Sequence, residues 1–400
     1  MPCNHLRVWM VLVATVLCCT AGFAGAQASL NALLVPLLAR YELPALAAAV
    51  VKGGKVIAVG AVGTRKAGAT IPVTVHDRFH LGSDTKAMTA LLAAMLVEAG
   101  QLRWESTVPE VFPELVEQMD AGLRRVTLGQ LLSHTSGIPS DNDVFGDLLE
   151  KAMLQDGNLD ELRYWLMQQW STQPLASEPG TTFAYANMNY IIVGAMIERV
   201  GGKTWEELIT ERVFTPLGLR SAGLGPQATP GKIDAPLGHL VIDGKTKAYL
   251  AGPNGDNPLI IGPAGNAHMS VLDFARWAGW NAGEGKRGPK LVRPESLKKL
   301  HTPVISMPEM KAAAPGTPTR GRYALGWGEL PVDWAPEPLI YHGGSNEKNL
   351  AHIWLEPRRD VAMVVVTNIS GSKANEALFA LAPELYAKFA APKRRREGRQ

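Results

Sequence analysis

Cysteine is scarce in this chain: there are three in 400 residues, and Cys3, Cys18 and Cys19 all fall within the first 19 positions. Beyond that point there is no thiol to act as a nucleophile, to hold a metal as thiolate or to close a disulfide. A chain of ~370 residues buries enough apolar surface to fold without covalent staples, so the deficit does not argue against export. Long apolar runs are also missing. The run from Val8 to Cys19 is shorter than the roughly 20 residues a membrane-spanning helix needs, and no later stretch approaches that length. Preceded by Arg7 and followed by small residues ending in Ala24-Gly25-Ala26, it has the layout of a secretory signal peptide over residues 1–26. Cleavage is expected after Ala26, giving a soluble periplasmic or secreted protein with no integral membrane segment. Lipoprotein processing at Cys18 is disfavoured by Leu17, which stands where a small residue is expected.

The net charge of +3 overstates how basic the folded body is, because Lys393, Arg394, Arg395, Arg396 and Arg399 against Glu397 put four net positive charges in residues 391–400 alone. The body is near neutral, and the tail reads as a solvated, disordered end rather than a nucleic-acid or lipid contact. Two hydrolase signatures are absent as well. There is no Gly-x-Ser-x-Gly elbow and no His-Glu-x-x-His, and His134, His239, His268, His301 and His352 lack ligand spacing. No metal and no cofactor is implied. Gly202-Lys203-Thr204 resembles the end of a phosphate-binding loop, but Ile197 holds the place of its first glycine, so an interhelical turn is expected there.

Strand signals gather at the two ends of the chain. Ala47 to Val51 and Val56 to Val59, separated by Lys52-Gly53-Gly54-Lys55, predict a hairpin; Ala351 to Leu355 and Val361 to Thr367 predict another, followed by a helix over 373–389. Helical patterns fill the middle, at 84–99, 127–133, 144–155, 159–170, 187–200, 204–213 and 271–280. Segments 222–270 and 301–320 are rich in Gly and Pro without periodicity and are expected as long loops walling a cleft. The expected fold class is α/β in the α+β sense. An antiparallel sheet from both chain ends, about 40–82 and 321–390, is flanked by helices, with a mostly helical region inserted at about 83–320. Together these form one domain over 27–390.

Ser83-Asp84-Thr85-Lys86 opens an apolar helix. A serine in a first helical turn lies where N–H groups point outward, and a lysine three residues on shares its face. A neutral amine there can take the serine proton, provided burial or positive charge depresses its ordinary pKa of about 10.4. Ser-x-x-Lys recurs at Ser296/Lys299, Ser345/Lys348 and Ser370/Lys373, but only Ser83 follows a strand-to-helix junction, His80-Leu81-Gly82. Taken alone, Ser83 reads better as a helix N-cap than as a nucleophile. Tyr185-Ala186-Asn187, the single Tyr-x-Asn of the chain, offers a phenol for proton transfer beside an amide; taken alone it reads as a packed aromatic with an Asn cap. His342-Gly343-Gly344-Ser345 ends an apolar stretch, and its glycines allow a substrate to lie against the strand backbone.

These motifs, with Leu132-Ser133-His134-Thr135-Ser136-Gly137-Ile138 between the first and second, resemble in order and spacing the family of class C β-lactamases, D-alanyl-D-alanine carboxypeptidases and related serine esterases. The resemblance runs from about residue 35 to 385. It implies that Ser83 forms an acyl-enzyme, that Lys86 and Tyr185 share the acid and base roles, and that Asn187 holds a substrate amide. It also implies substrate contacts from His342, Gly343, Gly344 and Ser345, with the N–H groups of Ser83 and Ser345 as oxyanion hole. Leu132 to Ile138 is expected to be structural. His342 departs from the lysine of the class C β-lactamases and, being neutral or partly charged near pH 7, should grip a carboxylate more weakly. The resemblance therefore implies a small-molecule or peptide substrate, with β-lactamase or D,D-peptidase activity, a small-ester hydrolase, and a non-catalytic penicillin- or peptidoglycan-binding protein all open. The oligomeric state is open as well.

Overall fold

The computed structural model describes residues 27–250, 255–309 and 317–391. The leader 1–26 with its cleavage point, and residues 392–400 of the basic tail, lie outside the described residues. In chain order the main elements are α1 (Asn31–Arg40), β1 (Ala45–Lys52), β2 (Lys55–Gly63), β3 (Arg78–His80), α2 (Thr85–Glu98), α3 (Asn187–Gly201), β4 (Ala267–Ser270), α4 (Val271–Ala282), β5 (Gly328–Leu330), β6 (Leu339–Ser345), β7 (Leu350–Glu356), β8 (Val361–Thr367) and α5 (Ser372–Leu385). The central sheet has nine strands, in the order Ala28–Ser29, β2, β1, β8, β7, β6, β5, Arg322–Tyr323, Ile305–Ser306. It is antiparallel apart from the first pair. As expected, both chain ends build it: β1 pairs with β8, Leu46 opposite Thr367 and Lys52 opposite Val361.

Burial on both faces explains why these strands read as continuous apolar runs. Along β1, Ala45, Ala47, Ala49 and Val51 enter the core beneath α2 and α4, while Leu46, Ala48 and Val50 enter the core beneath α1 and α5. In β8, Ala362, Val364 and Val366 face one way and Val361, Met363 and Val365 the other. The result is helix, sheet and helix in three layers. Alanine on β1 admits close approach: a Cβ on Gly279 of α4 would lie 2.7 Å from Val51 Cγ1. α2 is apolar all round because it runs through the interior, with Thr85 to Ala94 and Leu96 buried.

The expected helices stand at Thr85–Glu98, Leu128–Leu132, Asp143–Ala152, Leu159–Trp170, Asn187–Gly201, Trp205–Ile209 and Val271–Ala282. Gly202 ends α3 in the left-handed conformation, and Thr204 caps the next helix by accepting from the Glu207 N–H, so Gly202-Lys203-Thr204 is a turn between helices.

Segment 222–270 differs from the loop expected there. It holds strands at Gly223–Leu224, Gly238–Ile242, Lys245–Tyr249 and β4. Gly238–Ile242 and Lys245–Tyr249 form a hairpin whose two turn residues, Asp243 (φ 52°) and Gly244 (φ 71°), both take the left-handed conformation. β4 is fully buried between β3 and Gly223–Leu224 and is too short to show a period. Most of the described part of 301–320 is irregular; Ile305–Ser306 alone pairs, at the sheet edge.

Candidate active site

β3 delivers the chain to the middle of the molecule, and a single 3-10 turn, Gly82–Asp84, leads into α2. Two glycines let this turn press against β6 backbone to backbone. A Cβ on Gly82 (φ 51°) would lie 2.3 Å from Ser345 N, and one on Gly344 would lie 1.9 Å from Leu81 O and 2.7 Å from Ser83 N. Because nothing larger than hydrogen fits, the backbone around Ser83 and that around Ser345 are in close approach. β5 pairs with β6 only at Leu339, Ile340 and Tyr341, so the edge of His342 to Ser345 on that side carries no strand.

Lys86 is completely buried on α2, and its Nζ reaches three acceptors: Ser83 Oγ at 3.1 Å, Asn187 Oδ1 at 2.7 Å and the Ala264 carbonyl at 2.8 Å. Burial pulls its pKa down to about 7, against the smaller upward pull of Asp141 and then Asp84. Half of it is therefore neutral near pH 7, with a lone pair beside Ser83. The Tyr185 hydroxyl faces Ser83, and Lys86 Nζ lies 4.7 Å from the centre of its ring. Burial raises the phenol above its ordinary range, so it stays protonated as a donor.

The segment Leu132 to Ile138 shapes the Tyr185 side of the site. His134 takes the left-handed conformation (φ 57°); its carbonyl accepts from Ala184 N at 2.9 Å and its ring lies 4.2 Å from that of Tyr185. Its Nδ1 lies 3.1 Å from Asn189 Nδ2 and accepts from Ala186 N at 3.3 Å, while Ser136 Oγ donates to Asn189 Oδ1 at 2.6 Å. Burial holds His134 neutral, and its contacts fix the backbone on either side of Tyr185.

Asn187 begins α3 and is tied at both ends of its amide. It accepts from Lys86, and it donates to Asp141 from Nδ2 at 2.6 Å and from its backbone N–H at 2.8 Å. His342 points from β6 towards α2: Nε2 lies 3.0 Å from the Tyr323 hydroxyl and Nδ1 3.3 Å from Asp84 Oδ1. Burial, with Lys86 nearby, pulls His342 down to about 3, and burial pushes the Asp84 carboxyl well up. Burial thus disfavours the charged form of both groups where they face each other. Ser345 Oγ donates to Ser370 Oγ at 2.9 Å. Ser83, Lys86, Tyr185, Asn187, His342, Gly343, Gly344 and Ser345 thus meet in one place.

Three contributors were not legible. Asp141 lies 46 residues from Asn187 in a segment without pattern, Ala264 acts through its carbonyl, and Tyr323 gives no motif. A cavity of about 330 Å³ opens beside Tyr185, His342 and Gly343, walled by Phe183, Tyr323, Tyr341, Met307, Leu330 and Phe379.

The family model described as Beta-lactamase matches residues 30–386. The chain belongs to the beta-lactamase family. The family is of serine acyl-transferase and hydrolase type. Penicillin-binding protein 4 of Amycolatopsis lactamdurans is 28% identical to this family member over 333 residues, covering 82% of this chain and 81% of that protein. Protein flp of Staphylococcus aureus is 24% identical over 341 residues; the match takes in 83% of this chain and spans only 61% of flp. Among solved structures, the octameric penicillin-binding protein homologue from Pyrococcus abyssi superposes with a TM-score of 0.70 at 25% identity, covering 89% of this chain and 76% of that one. The penicillin binding protein from Bacillus halodurans gives 0.64 at 24% identity, covering 87% and 98%, a likeness of fold alone. Among the described residues, no helix of this beta-lactamase family protein is long and apolar enough to cross a membrane.

Proposed function

We propose that this protein hydrolyses small, uncharged esters or amides through an acyl-Ser83 intermediate. The observation that carries the reading is the buried Lys86 amine, 3.1 Å from Ser83 Oγ and poised at about 7. Neutral Lys86 takes the Ser83 proton as Oγ bonds to the substrate carbonyl carbon, and the carbonyl oxygen becomes an oxyanion facing the Ser83 and Ser345 N–H groups. Each such donor typically contributes about 3–4 kcal/mol to lowering the barrier. On collapse the bond to the leaving group breaks, and the leaving group accepts a proton from the Tyr185 hydroxyl, which is refilled from the Lys86 ammonium. Water then attacks the acyl carbon, giving its proton to the same relay; the acid departs and Ser83 Oγ recovers its hydrogen.

The cavity beside Tyr185 supports an apolar acyl or leaving group, and among the described residues that line it there is no Lys or Arg to hold a carboxylate. With His342 neutral, this favours an ester over a β-lactam or a D-amino-acid peptide, both of which carry one. The second reading, penicillin or D,D-peptide recognition, draws on the named similarity to Penicillin-binding protein 4. Export with cleavage after Ala26 belongs to the same proposal, and N-terminal sequencing of the secreted product tests it.

The deciding experiment is intact-mass spectrometry after exposure to a fluorophosphonate and, separately, to a penicillin. It is run beside turnover of a short-chain nitrophenyl ester and a chromogenic cephalosporin. A fluorophosphonate adduct that is lost in Ser83→Ala, with ester turnover exceeding cephalosporin turnover, is the expected result. A stable penicillin adduct with little ester turnover would transfer the assignment to the peptidase reading. No adduct with either reagent would leave a non-catalytic binding protein.

A further inference from the structure

Beneath the two oxyanion donors lies a buried carboxylate that the proposed chemistry does not use. Asp256 is 4% exposed at its side chain and touches both walls of the site. On one side its Oδ2 lies 3.0 Å from Nε2 of His80, in an angled contact, and His80 is fully buried at the end of β3. The other ring nitrogen, Nδ1, accepts from Gly82 N at 3.0 Å, which places the hydrogen on Nε2, the nitrogen that neighbours Asp256. On the other side Asp256 Oδ1 accepts from Asn346 Nδ2 at 2.6 Å, and from its neighbour Asn257 N at 2.8 Å. Asn346 is itself buried and follows Ser345 directly; its Oδ1 accepts from Asn349 Nδ2 at 3.0 Å and from Lys348 N at 3.3 Å, closing the turn after β6.

One continuous chain of side chains therefore links the residue before Ser83 to the residue after Ser345. Each end holds the backbone that carries one oxyanion donor. Against the upward push of burial, His80, the Asn346 carboxamide and the Asn257 backbone N–H hold the Asp256 carboxyl below the usual carboxylate range. An unpaired charge there would cost several kcal/mol, so the three groups stand or fall together.

We infer that His80, Asp256 and Asn346 are positioning residues that hold the Ser83 and Ser345 N–H groups at the spacing an oxyanion needs. This rests on the acyl-Ser83 reading above. None of the three reaches the substrate; they act through Gly82 and Ser345. Their loss should fall on the transition state, where the donors are called on, and leave ground-state binding in place.

The test uses the full chain and two probes, the fluorophosphonate, whose rate of reaction reports the donors at Ser83, and a phenylboronic acid, which forms a tetrahedral adduct on the serine. In Asp256→Asn the second-order labelling rate and the boronate affinity should each fall about 10- to 100-fold, with the ester KM changed by less than about threefold. The paired variants at His80 separate positioning from simple packing. His80→Asn places an oxygen where Nδ1 accepts the Gly82 N–H and should keep more of the rate than His80→Gln, whose amide reaches towards Asp256 instead. Should Asp256→Asn fail to fold, this ordering and Asn346→Leu decide the matter alone. Labelling and boronate affinity within twofold of wild type in folded variants, or a KM that rises in step with the loss of boronate affinity, would overturn the inference while leaving acyl-Ser83 chemistry intact. No labelling of wild-type Ser83 would refute the hydrolase reading itself, and this inference with it.

Discussion

If Lys86 is the base, the pH dependence of Ser83 reactivity should be that of a buried amine. Its displacement from 10.5 to about 7 corresponds to about 5 kcal/mol against the charged form, the net of burial and the opposing pull of Asp141 and Asp84. The neutral fraction at pH 7 is then about one half, against about 3 in 10,000 for an unperturbed lysine, so roughly a thousandfold more of the amine is in the form that accepts a proton, a gain only partly offset by its lower basicity. Fluorophosphonate labelling, followed by intact mass, should rise about tenfold per pH unit up to pH ~7 and then level off. The other groups facing Lys86 leave this window clear, apart from Asp84: Tyr185 is held protonated, and His134 and His342 are held neutral. Asp141 pulls the Lys86 pKa upward, so Asp141→Asn should move the midpoint to lower pH. Asp84 pulls the Lys86 pKa upward as well, so Asp84→Asn should keep the shape of the limb and move its midpoint to lower pH, by less than Asp141→Asn does. A plateau reached only near pH ~10, or a midpoint that rises in Asp141→Asn, would refute the assignment of the base.

Two further predictions concern stability. Arg163 is fully buried, donating from Nε to Glu198 at 3.0 Å and from Nη2 to Glu206 at 2.6 Å; Arg163→Met should cost about 3–5 kcal/mol by urea denaturation, and replacing both glutamates as well should cost less, since no charge is then stranded. His268 at about 4 and His301, His342 and His352 at about 3 are all depressed by burial. A folded pKa below the unfolded value of 6.5 gives stability that is fully present above 6.5 and lost as pH falls towards 4 and 3. At pH ~5.5 each histidine should already cost about 1.4 kcal/mol, with the raised Asp84 carboxyl opposing in sign. The unfolding free energy from urea titration should accordingly drop by several kcal/mol between pH ~7.5 and ~5.5, and equal values at the two pH values would show that these histidines are not held neutral.

The Ser83–Lys86 pair proposed as nucleophile and base was legible as a pair because the two sit within one helical turn, and Tyr185 with Asn187 because they open a helix. The sheet was legible because β1, β7 and β8 are apolar on both faces. What escaped notice acts across sequence distance or through backbone. Asp141 meets Asn187 only once α3 is docked, and Ala264 contributes a carbonyl that any residue would supply. The hairpin at Gly238–Ile242 and Lys245–Tyr249 was hidden by its exposure, which removes the apolar alternation, although Asp243-Gly244 is a turn dipeptide of the hairpin kind. Asp84 and His80 stood inside or next to a recognised motif, yet only the packing of β3 against β6 and Asp256 gives them partners.

The seam between β1 and β8 also dictates when the protein can first work. Ser83, Lys86, Tyr185 and Asn187 have all been synthesised before β6 exists, and β6 in turn is held in the sheet by β7 and β8. Until Val361–Thr367 has been made and laid beside Ala45–Lys52, Ser345 has no fixed place and the serine has only half of its anion cradle. On the acyl-Ser83 proposal the serine stays idle through most of translation, and a nascent or truncated chain ending before β8 should not react at Ser83.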